Sequence, residues 1–260
     1  MLYIAIPAHN EASTVGVLLW KIRKVMADFG RDYSILVLDD ASTDGTEQVL
    51  ERYRKVLPLR VTRSEKRLGY ARAMERLFRE AVAEAPYPKR DAVIVLQGDF
   101  SEDPAGIIPL VKSLEGGADV VAGVPAPQAE GEPPVSRPRA VRLTRWAANW
   151  LLRGVLQGSP VSDPFTGFRA YRVIVLKKAL RELDEGSLVQ SQGWGANLEL
   201  LGVVAPHARR IEEMPVEFRD HLRVRESRFR MVPTLQGLFR LRGNPHLRQF
   251  SSVGGGVEAS

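Results

Sequence analysis

Residues 92–104, AVIVLQGDFSEDP, decide the fold. Ala92 to Leu96 form an apolar run rich in β-branched side chains, which predicts a fully buried strand, and the run stops abruptly at Gln97-Gly98-Asp99. Ligands of open α/β sheets lie at the carboxyl ends of the strands, so this reading sets Asp99 at the mouth of a site. The plainer alternative is a strand-to-helix turn in which Ser101 or Asp103 caps a helix starting near Pro104. Two upstream strands that end in the same polar way shift the balance toward a site.

Moving outward, Leu2 to Ile6 is a short apolar strand that runs into Pro7-Ala8-His9-Asn10-Glu11. Val15, Leu18, Leu19, Ile22, Val25, Met26 and Phe29 follow at helical spacing. Ile35 to Leu38 is a second strand, ending in Asp39-Asp40, and Asp44 with Glu47 three residues on predicts a capping box for the next helix. A third strand, Leu59 to Thr62, leads through Glu65-Lys66-Arg67-Leu68-Gly69 into a helix carrying Met74, Leu77, Phe78 and Ala81. Asp119 to Gly123 predicts a fifth strand after a helix around Ile107 to Leu114. Strands alternating with helices of this length imply an α/β fold with a mostly parallel sheet covered on both faces. Such a sheet gathers Asn10-Glu11, Asp39-Asp40 and Gln97-Asp99 on one rim. Crowded carboxylates raise one another's proton affinity unless a cation intervenes, so a metal or cationic side chains are expected there.

Beyond the fifth strand the composition changes. Residues 125–138, PAPQAEGEPPVSRP, predict a mobile loop. Residues 139–156 read as an amphipathic basic helix with Trp146 and Trp150 one turn apart, a pattern that suits either a membrane interface or a face packed on the core. From Arg137 to Arg181 ten basic residues face one acid, Asp163, which calls for an anionic partner. Phe168 to Tyr171 predicts a strand entering a helix through Leu180, Trp194 to Val204 a helix carrying Glu199, and Arg210 to Phe218 a last strand. A basic loop, Arg219 to Arg230, a short helix from Pro233 to about Arg242 and a disordered tail, residues 243–260, complete the chain.

The 260 residues suffice for one large core, the formal net charge is +6, and there is no cysteine for a disulfide or thiolate metal site. No stretch approaches the roughly 20 apolar residues that cross a bilayer. A cytoplasmic protein is expected, with peripheral contact at the inner face of the plasma membrane through residues 139–156. Nucleic acid is not an expected partner, since the basic residues lack interleaved stacking aromatics and helix-turn-helix spacing.

Taken together and in order, these motifs resemble an inverting GT-A glycosyltransferase of the large family that uses nucleotide-diphosphate sugars. IPAHNE is similar to the first-strand signature, usually written with Tyr where His9 stands, LDDASTDGT to the second, and Lys66 to Ala71 with Gly69 to the third. QGD stands where the family carries its metal-binding Asp-x-Asp. SDPFTGFRAYR and EMPVEFRDHLRVRESRF are similar to stretches of polyprenol-phosphate sugar synthases, the dolichol-phosphate mannose synthase group. The resemblance spans about Leu2 to Arg242, a single domain with a nucleotide-sugar half (1–124) and an acceptor half (139–242).

What the resemblance implies is a sugar moved from a GDP- or UDP-sugar to a polyprenyl phosphate. Pro7, Ala8, Asn10 and Glu11 would cradle the nucleotide beside Asp39, Asp40, Lys66, Gly69, Gln97 and Gly98. Asp99, with Gln97, would hold Mg²⁺ or Mn²⁺ on the diphosphate. Arg145, Arg169, Ser227 and Arg228 would hold acceptor or donor phosphates, guanidinium being suited to bidentate contact. Asp163 is a candidate base, an orienting group for Arg169 or a cap of the Pro164 turn; Glu199 either faces the acceptor or lies on a helix surface; His9 reads as a satisfied turn histidine. Gln97 is the main departure from the pattern, a neutral oxygen in place of a charge, for which Glu102 or Asp103 could compensate. A soluble or polysaccharide acceptor, and a catalytically impaired nucleotide-sugar binder, are the competing readings.

Overall fold

The computed structural model describes residues 1–126, 159, 161–182, 187–191 and 194–218. Expectations for the 127–138 part of the loop, the basic helix with Arg145, the basic loop with Ser227 and Arg228, the short helix after Pro233 and the tail lie outside the described residues.

Elements are numbered in order among the described residues. β1 (Leu2–Ala8), β2 (Tyr33–Asp40), β3 (Leu59–Ser64), β4 (Ala92–Val95), β5 (Val120–Pro125), β6 (Arg169–Arg172) and β7 (Ile211–Val216) form one sheet in the order β3-β2-β1-β4-β6-β5-β7. Its helices are α1 (Val15–Phe29), α2 (Thr46–Arg54), α3 (Tyr70–Glu84), α4 (Ile107–Glu115), α5 (Val173–Glu182) and α6 (Trp194–Val204). Every strand pair is parallel except those made by β6, which runs against β4 and β5. The expected mostly parallel sheet is therefore present, and β6 brings its starting residue, Arg169, to the rim where its neighbours end.

The core splits by strand alternation into two layers. Ile4 and Ile6 of β1 face one side with Leu18, Leu19 and Ile22 of α1 and Leu110 and Leu114 of α4. Tyr3 and Ala5 face the other, with Met74, Leu77 and Phe78 of α3, Leu176 of α5 and Leu200 of α6. Both faces being covered explains the near-continuous apolar runs of β1, β2 and β4, for which no polar face exists. Where those runs end, the chain leaves the core at the carboxyl rim.

Candidate active site

Ala8 at the end of β1 pairs with Asp39 in β2, which sets the two following loops side by side. Side chains then sew the loops together. Ser42 Oγ accepts the Asn10 N–H at 2.8 Å, Asn10 Oδ1 accepts the Thr43 N–H at 2.7 Å, and Thr46 Oγ1 accepts the Glu11 N–H at 2.8 Å. Asp44 accepts from Thr46 N–H at 3.1 Å and Ala12 N–H at 3.2 Å. Burial raises the Asp44 pKa, but the Thr46 hydroxyl and these backbone donors outweigh it and hold the carboxyl below its ordinary value. Asp44 thus caps α2 from one residue outside Gly45, the residue at the cap, while Glu47 pairs with Arg63 rather than closing the expected box. His9 donates from Nδ1 to the Asp40 carbonyl at 2.6 Å, the satisfied turn histidine that was expected.

The adjacent aspartates of β2 have different occupations. Asp40 spends both oxygens on the next loop, Oδ1 accepting the Leu68 N–H at 2.6 Å and Oδ2 the Gly69 N–H at 2.9 Å. It shapes the loop that leads into α3, each of its carboxylate oxygens being answered by a main-chain N–H. Gly69 is the hinge of that loop, at φ 84, and Lys66 and Arg67 beside it are exposed. Asp39 is 0% exposed; Oδ1 accepts the Ser42 N–H at 3.0 Å, Oδ2 has no hydrogen-bond partner, and Arg63 Nε stands 4.0 Å from it. A buried acceptor left so costs about 1–3 kcal/mol, more when charged, and is retained where a ligand answers it.

β4 delivers the third loop against the first. A Cβ on Gly98 would lie 3.3 Å from Glu11 Cγ and 3.4 Å from both Ala8 Cβ and the Pro7 carbonyl oxygen, so the third loop lies closely against the first. Thr14 Oγ1 donates to the Gly98 carbonyl at 2.9 Å and locks the contact. Asp99 is partly exposed, with Oδ1 accepting the Ser101 N–H at 3.0 Å. Asp103 caps the tight turn Pro104–Gly106 by accepting the Ala105 N–H at 2.9 Å and pairs with Lys21 at 3.1 Å. Glu102 accepts the Gln97 N–H at 2.8 Å from behind. Asp103 is thus engaged in a cap and an ion pair, and Glu102 in holding the Gln97 main chain. Asn10, Ala41 and Phe100, the non-glycine residues with positive φ among those described, each follow one of these three strands at φ 55, 54 and 59. Backbone held in this region costs energy and collects at functional loops.

Across the rim, Asp163 is buried and Oδ1 accepts the Phe165 N–H at 3.2 Å, which supports the turn-cap alternative. Arg169 is 1% exposed; Nη1 donates to the Asn197 carbonyl and Nη2 to the Pro164 carbonyl, both at 2.6 Å. Two arms of its guanidinium are thus used on main-chain carbonyls of α6 and of the 163–167 loop, while Nε has no hydrogen-bond partner. Glu199 is buried rather than on the helix surface, and its Oε2 accepts the N–H groups of Gln190 at 3.1 Å and Ser191 at 2.8 Å. The sequence reading passed over Tyr70 and Asn197. Tyr70 donates to Asn197 Oδ1 at 2.9 Å, and Asn197 Nδ2 donates to the Phe165 carbonyl at 3.1 Å, linking α3, α6 and the 163–167 loop. Burial, then the nearby Glu102 and Tyr171, push the Tyr70 hydroxyl pKa up, so it stays a neutral donor. An amide and a carboxylate, Asn197 and Glu199, in the otherwise apolar WGANLELLGVV are the signal for Asn197 in the sequence.

Among the described residues no group of three or more His, Cys, Asp or Glu is assembled. Asp99 offers one carboxylate, which suits a hard cation that takes its other oxygens from phosphates and water.

The seven-stranded sheet flanked by helices has the GT-A architecture of the solved structures it resembles. Glucosyl-3-phosphoglycerate synthase from Mycobacterium tuberculosis with UDP is similar at TM-score 0.61 and 22% identity, over 97% of this chain and 80% of that one. In sequence, residues 3–180 match glycosyl transferase family 2, and the chain belongs to that family. It is 27% identical to an undecaprenyl-phosphate mannosyltransferase of Micrococcus luteus over 82% of this chain and 81% of the relative. It is 26% identical to the dolichol-phosphate mannosyltransferase of Pyrococcus furiosus over 83% of this chain and 55% of the relative. A dodecaprenyl-phosphate galacturonate synthase of Rhizobium johnstonii matches at 24% identity over 68% of this chain and 49% of that protein. The matched region thus spans about half the length of the last two relatives.

Proposed function

We propose that this chain transfers a sugar from a nucleotide-diphosphate sugar to a polyprenyl phosphate with inversion at the anomeric carbon. The observation that carries the reading is the orphan Asp39 Oδ2, buried beside the sewn loops of β1 and β2 and two strand spacings, roughly 10 Å, from the Gly98-Asp99 turn. That span suits a nucleoside on Asp39 with its diphosphate at Asp99. The names of the relatives support a lipid-phosphate acceptor.

In this mechanism Asp39 accepts a hydrogen bond from the base or ribose, and the main chain from Pro7 to Glu11 lines the nucleotide. Asp99, with Gln97 beside it, would hold Mg²⁺ or Mn²⁺, which supplies neutralisation of charge on the departing diphosphate. An acceptor phosphate oxygen forms the new bond to the anomeric carbon from the opposite face, and the broken C–O bond leaves its electron pair on the nucleoside diphosphate. No strong base is needed, because a phosphomonoester with a second pKa near 6 is largely ionised at neutral pH. Asp163, tied into its turn, then positions the 163–167 loop, and Arg169 orders the same loop. Arg145, Ser227 and Arg228 are proposed for the acceptor phosphate, and residues 139–156 for peripheral contact with the cytoplasmic leaflet. Among the described residues no helix is long and apolar enough to cross a membrane.

The test is transfer of labelled sugar from UDP- and GDP-sugars to a short prenyl phosphate, with and without Mn²⁺ or Mg²⁺. Metal-stimulated lipid product supports the reading. Donor binding without turnover on any prenyl phosphate, but with turnover on a soluble sugar or small acid, overturns the acceptor class.

A further inference from the structure

Position 97 is where this chain departs from the two-aspartate pattern, and the structure shows what surrounds it. Glu102 is 2% exposed and its seat is fixed. Its backbone makes an antiparallel bridge to Phe218, the Asp103 N–H donates to the Glu217 carbonyl at 3.2 Å, and the Phe218 ring stands edge-on to buried Phe168 at 6.4 Å. From that seat Oε2 accepts the Gln97 main-chain N–H at 2.8 Å, and Oε1 faces the Gln97 side-chain Nε2 at 3.5 Å. On another side the same nitrogen is confined by Gly167, where a Cβ would lie 3.3 Å from it and 3.0 Å from the Tyr70 hydroxyl.

A carboxylate only accepts, whereas a carboxamide has a donating and an accepting end, so a fixed carboxylate selects which end of the amide it meets. We propose that Glu102 is a positioning residue for the metal-diphosphate site: it takes the nitrogen end of Gln97 and turns Oε1 outward as a neutral oxygen ligand beside Asp99. This rests on the donor-site reading above. It also accounts for the amide itself, since an aspartate at 97 would set a second negative charge against the buried Glu102. Hard cations accept carbonyl oxygens, and groups that orient a ligand from behind typically control metal affinity by 10- to 100-fold.

The experiment is calorimetric titration of the full chain with UDP and with GDP, each with and without Mn²⁺; the ratio of the two affinities is the metal increment. Glu102→Gln can offer its own nitrogen and no longer selects the amide end, so the increment should fall about tenfold while metal-free nucleotide affinity is kept. Gln97→Met, which removes the oxygen and keeps the length, should lose as much, and the double variant should lose no more than either. The inference is overturned if either single variant keeps the increment. It is also overturned if Glu102→Gln still lowers the increment in the Gln97→Met background, for the charge would then act directly on the cation. Should Glu102→Gln fail to fold, Gln97→Met alone decides by the same criterion. A wild-type chain that binds a nucleotide with no metal increment defeats this inference and leaves the donor site standing; one that binds neither nucleotide defeats both.

Discussion

The two rims of the sheet are built from the same kinds of side chain and use them differently. At the amino rim every buried charge described is answered. Asp119 accepts the Arg209 N–H at 2.9 Å and meets Arg209 Nε and Arg172 Nε, each at 3.2 Å. Arg172 donates further to the carbonyls of Ala118, Lys89 and Leu114, and Asp91 accepts the Tyr87 N–H at 2.8 Å. At the carboxyl rim the account is left open. The buried polar atoms without a hydrogen-bond partner among the described residues, Asp39 Oδ2, Thr166 Oγ1 and Arg169 Nε, all lie there, as do the strained Asn10, Ala41 and Phe100. A closed network stabilises the fold, whereas an orphan group is a standing cost that binding can offset.

The sharpest break between the rims should come from Asp99→Ala. Loss of the proposed metal ligand should cut sugar transfer by about a hundredfold or more, with the circular dichroism and melting temperature unchanged. A variant that keeps its rate would remove the carboxyl rim from the chemistry. Next is Asp119→Asn at the amino rim, expected to lose about 2 kcal/mol in urea unfolding while the folded fraction keeps its rate, because buried donors lose their charged partner far from the site. Smaller again is Asp39→Asn. Nucleotide affinity should weaken about tenfold by calorimetry, yet the ligand-free protein should melt no lower than wild type, since the buried oxygen that lacks a hydrogen bond is gone and an amide oxygen can still accept from Ser42. A fall in ligand-free stability comparable to that of Asp119→Asn would erase the distinction.

The smallest effect is on acid stability. Burial raises the Asp119 pKa, but the hydrogen bonds and charge of Arg209, with Arg172, hold it below its ordinary value. The native value then lies under the unfolded value of about 3.9, so its stabilisation is present in full above that pH and fades as the pH falls through the native value. Urea midpoints measured below pH 4 should therefore drop more steeply for wild type than for Asp119→Asn.

Much of the fold could be read from periodicity. The expected helix Trp194 to Val204 matches α6, and each expected strand among the described residues is present with its ends moved by a few residues, as when β3 runs on to Ser64. The reversed direction of β6 was not legible, because a four-residue buried strand carries no sign of its neighbour's orientation. At the candidate site, residue types single out Asp39 and Asp99. They did not separate Asp39 from Asp40, adjacent and chemically identical, because what distinguishes them is the pair of amides, Leu68 and Gly69, that folds back onto only one. The burial of Glu199 was not legible for the same reason: its Oε2 accepts from main-chain groups, which leave no trace in side-chain spelling.

By itself the chain's order of residues determined which segments are buried and where burial gives way to polar side chains, because both follow from local periodicity and from the high cost of leaving charge in a core. Only the tertiary structure decided which polar groups are consumed in holding loops and which retain capacity for a ligand. That division depends on hydrogen-bond partners drawn from distant parts of the chain, Asn197 for Tyr70 and Ser42 for Asn10, whose meeting is set by the packing of helices and strands rather than by sequence proximity.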